Sequence, residues 1–424
     1  MLGELGHGAM LLPAAPLQFR AGDSEMRYRP DSELFYLTGF TEPGAALLLR
    51  GFADEARAIL FVRPRDPAAE LWAGPRLGPE RAREWTGVDE TRPISDLEKA
   101  LPGLLGGSDR VFFRLGAHAA IEARVVEALR EARLRGTKTG TGPRAVVDPG
   151  AILDEMRIRK EPEEIAVMRE AAAISVAGFR AALSRVGPGV GEWEVEAAME
   201  AEFRRRGALG PSFATIVGSG ANACVLHYIE NSRRMQDGEL VLIDAGAEYR
   251  MYSGDITRTV PVGGRFTPEQ RALHDVVDEA RREAIAAVAP GVRTAEIHRR
   301  SVTAIVRGLC DLGVLSGSVG TLIEEGAHER WFPHRTSHWL GLNTHDVGDY
   351  ARQGQPRLLK EGMVLTIEPG LYFPAAEESP FRGIGIRIED DVLVTATGAE
   401  VLTGALAAGA DGVEALMAGE DGHD

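Results

Sequence analysis

The stretch LVLIDAGAEYRMYSGDITRTV, residues 240–260, carries the clearest structural signal in the chain. It begins with LVLI, an apolar run of the kind found in buried strands. That run ends at the carboxylate of Asp244, and a second strand-like piece, ITRTV, follows the carboxylate of Asp255. Burying an ionised carboxylate is costly unless a partner compensates its charge. The pattern therefore predicts that a partner that compensates their negative charge lies between Asp244 and Asp255.

The bulk composition is that of an ordinary globular chain of 424 residues, with 44% hydrophobic and 26% charged residues. This length is enough for two or three domains. The net charge of −15 argues against a nucleic-acid partner bound through its phosphates. No apolar run is long enough to cross a bilayer and no signal peptide is recognised, so no membrane partner is expected. The two cysteines form no disulfide framework, which predicts a cytoplasmic location.

Two regions of different character divide the chain. Residues 1–145 alternate short apolar strands, at 45–50, 58–62 and 110–116, with helical segments, which predicts a small α/β domain. A stretch rich in Gly and Thr, 136–143, marks the boundary. Residues 150–424 show a different order, in which a pair of helices is followed by a block of strands, twice. This order predicts an α+β domain, with helices from about 162, at 191–206, 268–288 and 294–312, and strand blocks at 213–262 and 363–403.

Sequence motifs of several common enzyme classes are missing, namely HExxH, CxxC, GxSxG and GxxxxGK[ST]. Their absence weakens zinc-protease, redox, hydrolase and P-loop interpretations. One segment, GSGANA at 218–223, does fit the dinucleotide fingerprint GxGxxA. A dinucleotide site needs a helix after these glycines, whereas the following CVLHYIEN is typical of a strand and a turn. We therefore interpret the segment as a Gly-rich turn.

Four further segments share the oddity of residues 240–260, and one of them, LHYIEN (226–231), supplies His227. LTIEPGLYF (365–373) places Glu368 at the end of an apolar strand, GIGIRIEDDVLV (383–394) places Glu389 after alternating isoleucines, and PHRTSHWLGLNTHDVG (333–348) holds three histidines. A single acid at a strand end is usually a turn former, and a single histidine is usually structural. The occurrence of all these acids and histidines together is harder to explain as turn formers and structural residues. Like charges gathered in a core repel unless a cation lies between them.

The number and type of these groups favour a pair of metal ions. Four carboxylates balance two divalent cations, and oxygen ligands with one imidazole suit Mn²⁺, Co²⁺, Fe²⁺ or Zn²⁺. Paired metals about 3.5–4 Å apart can hold a hydroxide and clamp an attacked carbonyl. The sequence therefore predicts metal-assisted hydrolysis. Arg387 and Glu389 are two residues apart and share one sheet face, so a cationic side chain is expected beside the ligand, where it could hold a carboxylate of the site or of the substrate.

Five motifs of the C-terminal region occur together in a recognisable order: HYIEN (227–231), DGELVLIDAGAEYRMYSGDITRTVPVGG (237–264), SHWLGLNTHDVG (337–348), EGMVLTIEPGLYF (361–373) and GIGIRIEDDVLVT (383–395). By these motifs the chain resembles the Xaa-Pro aminopeptidases (aminopeptidase P), which belong to the pita-bread metallopeptidases together with prolidase and methionine aminopeptidase. In the N-terminal region, RYRPDSELFYLTGFTEPGAALLL (27–49) resembles the start of that family's amino-terminal domain. The resemblance covers nearly the whole chain.

The resemblance implies an aminopeptidase P-type domain at 1–145 and a catalytic pita-bread domain at 150–424. It implies release of the N-terminal residue from peptides with proline in the second position, by attack of a hydroxide that bridges two divalent ions. Mn²⁺ is the expected metal, with Co²⁺ or Zn²⁺ as alternatives. The metal ligands implied by the resemblance are Asp244, Asp255, His338, Glu368 and Glu389, and Glu368 would also shuttle the proton of the attacking water.

The resemblance also assigns the residues around the metals. His227 and His345 would flank the scissile bond as catalytic groups, and His334 would line the proline pocket. Arg387 and Tyr372 also match family positions at the site and are expected to support it or to bind substrate. A homo-oligomer, dimer or tetramer, is expected by resemblance only. Two alternatives remain open from the sequence: a prolidase that cleaves only Xaa-Pro dipeptides, and a non-catalytic pita-bread binding module.

Overall fold

The computed structural model describes residues 2–51 and 57–419. Residue contacts divide the chain into two compact units, Met1–Glu155 and Met156–Asp424. The predicted domain ranges, 1–145 and 150–424, also include residues 1, 52–56 and 420–424, which lie outside the described residues.

The first unit is built on a mixed six-stranded sheet with the strand order β6-β5-β4-β1-β7-β8. Antiparallel pairs join β1, β4 and β5, and parallel pairs add β6 at one edge and β7 and β8 at the other. The main strands of the unit are β1 Gly8–Pro13, β2 Phe19–Ala21, β3 Ser24–Glu25, β4 Ala46–Arg50, β5 Arg57–Val62, β6 Glu90–Pro93, β7 Arg110–Phe112 and β8 Ala145–Val147. Its helices are α1 Leu2–Leu5, α2 Ser32–Thr38, α3 Pro67–Ala73, α4 Gly78–Thr86, α5 Leu97–Leu105 and α6 Ala119–Gly136, and α7 Gly150–Arg157 follows.

The core of this unit forms where α5 and α6 cover the sheet. Leu101 and Val125 from these helices are fully buried against Leu48 and Phe61 of the central strands. The apolar runs at 45–50 and 58–62 form the adjacent buried strands β4 and β5, and the edge strand β6 beside β5 is half-buried. The small α/β domain predicted from the sequence is confirmed.

The second unit repeats one layout twice, a pair of packed helices followed by strands. Its helices are α8 Pro162–Leu183, α9 Glu192–Arg205, α10 Pro268–Ala286, α11 Thr294–Asp311, α12 Val319–Glu324 and α13 Ala410–Met417. Local sequence sets the helix starts. Pro162 occupies the first turn of α8, where Glu161 and Glu164 form a capping box. Thr267 caps α10 by accepting the backbone N–H of Gln270.

The strands of the second unit form several short sheets, whose register positions the acids of the sequence motifs. They are β9 Gly210–Pro211, β10 Ile216–Ser219, β11 Leu240–Ala245, β12 Ala247–Tyr249, β13 Tyr252–Ser253, β14 Ile256–Pro261, β15 Ala351–Arg352, β16 Gln355–Pro356, β17 Val364–Ile367, β18 Gly370–Phe373, β19 Ile384–Arg387, β20 Asp390–Val394 and β21 Ala399–Val401. In β11 and β14, Asp244 pairs with Thr257, and Thr257 forms a further bridge with Glu389.

Two local expectations need correction. The strand expected at 110–116 is shorter, Arg110–Phe112, because β1 and β8 pair with only these three residues. The segment after the Gly-rich turn, 224–231, has turns and irregular backbone where a strand was expected in part. The Gly-rich segment itself is a short 3₁₀ turn, Gly220–Cys224, without a following α-helix, which agrees with its interpretation as a turn. Among the described residues, no helix is long and apolar enough to span a membrane.

Candidate metal centre

The ends of several strands bring the predicted ligands together. Asp244 lies near the end of β11, and Asp255 directly precedes β14. Glu368 directly follows β17, whose backbone pairs with the segment that carries His338 through bonds from Thr366 N to His338 O and from Glu368 N to Thr336 O. Glu389 directly precedes β20. Four carboxylates at strand ends and the imidazole of His338, on the segment paired with β17, are therefore brought together by the strands of the second unit.

Three of these side chains form a compact group. Ligand atoms of Asp255, His338 and Glu389 all lie within 4.8 Å of one another. His338 Nε2 is 3.4 Å from Asp255 Oδ2 and 3.9 Å from Glu389 Oε1. The carboxylate of Glu368 is adjacent, since its Oε1 lies 3.8 Å from the same nitrogen. One imidazole nitrogen thus faces three carboxylates.

The hydrogen bond of the other ring nitrogen fixes the tautomer of His338. Nδ1 lies 3.0 Å from the carbonyl oxygen of Trp339, which can only accept, so Nδ1 carries the proton. The lone pair of Nε2 then points toward the carboxylates. This is the usual arrangement of a metal-bound histidine, whose second nitrogen donates to a carbonyl or a carboxylate.

The charge of the group is suited to a cation. Burial raises the pKa of Asp255 and of Glu389 well above the usual range, and neighbouring carboxylates raise them further. The pKa of Glu368 is raised to about 7, again mainly by burial. In addition, Asp244 Oδ1 and Asp255 Oδ1 are buried without a hydrogen-bond partner among the described residues. Unpaired oxygens at a site of crowded carboxylates fit divalent metal ions of the kind that prefer oxygen and imidazole ligands.

Asp244 is fixed by a buried guanidinium. Arg387 Nη2 donates to Asp244 Oδ2 at 2.5 Å, and Arg387 Nε donates to Thr257 Oγ1 at 3.2 Å. Thr257 Oγ1 in turn donates to Glu389 Oε2 at 2.7 Å. The sequence left open whether Arg387 holds a carboxylate of the site or of the substrate, and in the structure it holds one of the site. The same guanidinium orients two of the predicted ligands.

The network continues from Arg387 to His334. Arg387 Nη1 donates to Tyr372 Oη at 3.0 Å, and Tyr372 Oη lies 2.9 Å from His334 Nε2. Burial lowers the pKa of His334 to about 4 and raises that of Tyr372 to about 12, so both are neutral at pH 7. His334 Nδ1 donates to the carbonyl of Arg335, at 2.8 Å, so Nε2 must accept the Tyr372 proton. Each proton in the hydrogen bonds that join Arg387, Tyr372 and His334 therefore has one consistent position.

The two remaining histidines of the prediction lie at the exposed side of the group. The ring of His345 meets the ring of His338 edge-on, with 4.5 Å between centroids. Burial lowers the pKa of His345, and the nearby His338 and His227 lower it further. His227 lies in an exposed turn and also contributes to the lowered pKa of His334. The structure thus places His345 beside His338, and His227 is close enough to His345 and His334 to lower their pKa values.

Two residues at the site were not identified from the sequence. Thr257 links Arg387 to Glu389, as described above. Asp391 accepts the backbone N–H of Asp255 at 3.1 Å, and burial raises its pKa well above the usual range. The sequence held a signal for Asp391, since it is a second acid in a buried strand beside Glu389. Thr257 carried no such signal, because a threonine in a strand is ordinary.

Comparisons with known proteins agree with this geometry. The family model of metallopeptidase family M24 matches residues 166–396, and that of the aminopeptidase P N-terminal domain matches residues 1–112. The Xaa-Pro aminopeptidase of Escherichia coli K12 is 45% identical over 96% of this chain and 93% of its own, and that of Haemophilus influenzae is 40% identical over 97% and 93%. The structure of Pseudomonas aeruginosa aminopeptidase PepP superposes with a TM-score of 0.93 at 42% identity, covering 99% of this chain and 95% of its own.

A structure of zinc-substituted E. coli aminopeptidase P in complex with product has a TM-score of 0.94 at 44% identity, covering 99% of this chain and 96% of its own. These likenesses confirm the predicted fold class, a small N-terminal α/β domain followed by a pita-bread domain. They extend over nearly the full length of the chain and of its relatives. The chain therefore belongs to metallopeptidase family M24 and carries the aminopeptidase P type of N-terminal domain.

Proposed function

We propose that the protein is a metal-dependent Xaa-Pro aminopeptidase, which releases the N-terminal residue from peptides with proline in the second position. The observation that carries the proposal is the group of Asp255, His338 and Glu389, with Glu368 beside it, in a chain 45% identical to a relative named for this activity. Together with Asp244 they offer four carboxylates and one imidazole to metal. All five ligand positions in the second unit are occupied by residues that can bind a metal ion, which supports an enzyme over a non-catalytic binding module.

We assign the five ligand residues to a pair of divalent cations, with Mn²⁺ as the expected metal and Co²⁺ or Zn²⁺ as alternatives. Arg387 offsets only one of the four carboxylate charges, so more than one positive charge is needed at the site. When bound, the metal ions supply Lewis-acid activation of water and of the scissile carbonyl. The remaining chemistry belongs to the side chains of the chain itself.

Glu368 is the proposed general base and acid. Its raised pKa, about 7, suits a carboxylate that takes a proton from water and then gives it up. The leaving nitrogen of a peptide bond to proline carries no hydrogen, so it must receive a proton before the amine departs. Glu368 would deliver that proton. Its Oε1 lies 3.8 Å from His338 Nε2, beside the other proposed metal ligands.

The histidines have separate proposed roles. His345 and His227 would flank the scissile bond and donate hydrogen bonds to the oxygen on which negative charge develops. His334 would line the pocket of the proline ring, where the rings of Phe332 and Tyr372 lie 5.0 and 5.6 Å from it. Tyr372 donates a hydrogen bond to His334 and accepts one from Arg387. Tyr372 and Arg387 would therefore hold His334, the wall of the proline pocket, in place.

We further propose that residues 150–424 form the catalytic domain and residues 1–145 the N-terminal domain. We also propose a homo-oligomer, a dimer or tetramer, in the cytoplasm. The location rests on the two cysteines, which are not bonded to each other. Light scattering behind a sizing column tests the assembly, for which a monomeric mass would be a contrary result.

A comparison of peptides tests the function. Purified protein should hydrolyse Xaa-Pro-Yaa tripeptides faster than Xaa-Pro dipeptides, and a matched Xaa-Ala-Yaa peptide should be a poor substrate. Dipeptide-only cleavage would indicate a prolidase. Loss of hydrolysis after chelation, with recovery on adding Mn²⁺ or Co²⁺, is the expected metal dependence. A chelated sample, shown by elemental analysis to be metal-free, that works at the original rate would contradict the proposal.

A further inference from the structure

Glu192, the first residue of α9, is a fully buried carboxylate outside the metal centre. Burial of such a charge is tolerated only where donors replace its water shell. Glu192 has five donors, all at 2.7–3.3 Å: Ser219 N, Ser219 Oγ, Asn222 Nδ2, Tyr228 Oη and Arg233 N. Every one of them comes from residues 219–233, which we call the His227 loop. One buried carboxylate therefore collects the two ends and the middle of this loop.

The chemistry of this contact requires a carboxylate. An ionised carboxylate only accepts hydrogen bonds, and both of its oxygens can do so, whereas a side-chain amide must present an NH₂ group on one side. Glu192 Oε1 faces the donors of Ser219 and Asn222, and Oε2 faces Tyr228 and Arg233. The N-terminal position of Glu192 in α9 adds the favourable end of the helix dipole.

The His227 loop also contacts residues that support the metal centre. Tyr228 belongs to a buried cluster with Tyr372, and the carbonyl of Leu226 lies 3.4 Å from Arg387 Nη2, which donates to it. His227 stands between these two anchored neighbours with its own side chain exposed. Since residues 224–231 have no regular backbone ladder, side-chain contacts of this kind set the path of the loop.

We propose that Glu192 is a positioning residue, which acts through the His227 loop to hold the His227 imidazole beside the metal centre. This inference rests on the role proposed above for His227. The path of the effect is short: Glu192 accepts a hydrogen bond from Tyr228, Tyr228 belongs to the same buried cluster as Tyr372, and His227 is the residue before Tyr228. A carboxylate with no access to the reacting atoms then influences turnover through geometry alone.

The substitution E192Q tests the proposal. It keeps the side-chain volume but turns one acceptor into a donor, which leaves a backbone N–H of Ser219 or Arg233 facing an NH₂ group. Turnover of an Xaa-Pro-Yaa peptide should fall about 10- to 100-fold, since a misplacement of about 1 Å can cost this much. Bound metal, measured on the same sample, should stay at the wild-type level. The matched control is E194Q, which removes the same charge from an exposed side chain in the same helical turn and should leave turnover unchanged.

A double substitution separates positioning from general damage to the fold. In an H227A background, E192Q should have almost no further effect on turnover, because the group it positions is gone. An equal loss in both backgrounds would overturn the inference while leaving the role of His227 intact. Full turnover in H227A alone would overturn both, and absence of hydrolysis in the wild-type protein would instead refute the proposed function.

A milder variant covers the case in which E192Q does not fold. Y228F removes a single donor to Glu192 and keeps the aromatic packing. It should lower turnover by a smaller factor in the same direction, with a cooperative thermal transition retained. Wild-type turnover in folded Y228F, together with unchanged metal content, would contradict the proposal.

Discussion

The carboxylates of Asp255 and Glu389 have surroundings that disfavour two free negative charges. Their exposed fractions are 4% and 2%, and their pKa values are raised by burial and by neighbouring carboxylates. The structure offers Glu389 the hydroxyl of Thr257, and it offers Asp255 a backbone contact through Asp391. These contacts hold the carboxylates in place without neutralising them, which is the condition a metal ion would satisfy.

We expect Asp255→Ala or Glu389→Ala to remove metal binding and activity together. Each substitution deletes a ligand from the group around His338, so peptide hydrolysis should fall by roughly a hundredfold or more. Elemental analysis of the purified variant measures bound metal, and an Xaa-Pro-Yaa assay measures turnover. Glu400→Ala, which removes an exposed partner of Arg169, is a suitable control. Full turnover with unchanged metal in either ligand variant would refute the assignment.

Removing the Tyr372 hydroxyl should weaken use of proline peptides. Tyr372→Phe leaves Arg387 Nη1 without an acceptor and His334 Nε2 without a donor. Leaving buried polar groups unpaired costs about 1–3 kcal/mol, which corresponds to about a tenfold or greater loss in kcat/KM if the pocket wall shifts. The expected change is mainly in KM, since the metal ligands remain. A variant with wild-type kcat/KM for every proline peptide would show that the hydrogen bonds of the Tyr372 hydroxyl do not contribute to activity.

One ion-pair cluster ties the connection between α7 and α8 to the segment that carries His345. Asp346 Oδ1 accepts from Arg157 Nη2 at 2.6 Å, and its Oδ2 accepts from Lys160 Nζ at 3.2 Å. All three side chains are almost fully buried. Gly341 is required nearby, because a Cβ there would lie 2.2 Å from Asp346 Oδ2. Residues distant in sequence thus fix the loop between His338 and His345.

Asp346→Asn should destabilise the second unit. It removes the buried carboxylate charge that Arg157 and Lys160 share, and breaking a buried ion pair in this way costs about 3–5 kcal/mol. The measurement is the free energy of unfolding in urea, or the corresponding drop in Tm. Asp349→Asn is the matched control, because Asp349 is an exposed acid three residues further along. Equal stability of the two variants would contradict the role given to the cluster.

The core of the second unit contains a histidine that makes the fold sensitive to acid. His274 of α10 has an exposed fraction of 0%, and both of its ring nitrogens lack a hydrogen-bond partner among the described residues. Burial lowers its pKa to about 4. The nearby carboxylate of Asp278 opposes this shift, and the positive charges of Arg258, Arg281 and Arg271 add to it. Its ring packs 4.8 Å from that of Phe266. The folded chain therefore keeps this imidazole neutral.

Stability should fall as the pH is lowered from about 6.5 to about 4. In this window the unfolded state binds a proton at His274 and the folded state does not, so protonation favours unfolding. The contribution over the full window is about 3 kcal/mol at 1.36 kcal/mol per pKa unit. Urea unfolding at pH 7 and pH 5 should show a smaller acid loss in His274→Leu than in the wild type. An identical loss in both proteins would refute this cause.

Much of the architecture could be predicted from local sequence, for a physical reason. The helices at 162–183 and 268–286 have Pro, Glu and Thr signals at their starts, and the buried strands are short apolar runs. The three acids at strand ends, Asp244, Glu368 and Glu389, stood out because a charged group is rare in such a place. These features depend on neighbours a few residues away in the sequence, or on the cost of burying a charge, so they can be recognised from the sequence alone.

The contacts that complete the site depend on packing between distant segments. Sequence spacing placed Arg387 near Glu389, but only the tertiary structure directs its guanidinium to Asp244 and Tyr372. The tautomer of His338, the support of Asp255 by Asp391 and the capture of the His227 loop by Glu192 are of the same kind. Local pattern thus determined the elements and the candidate ligands. Tertiary packing determined which donor meets which acceptor, because a hydrogen bond forms only where two groups far apart in sequence reach the same point in space.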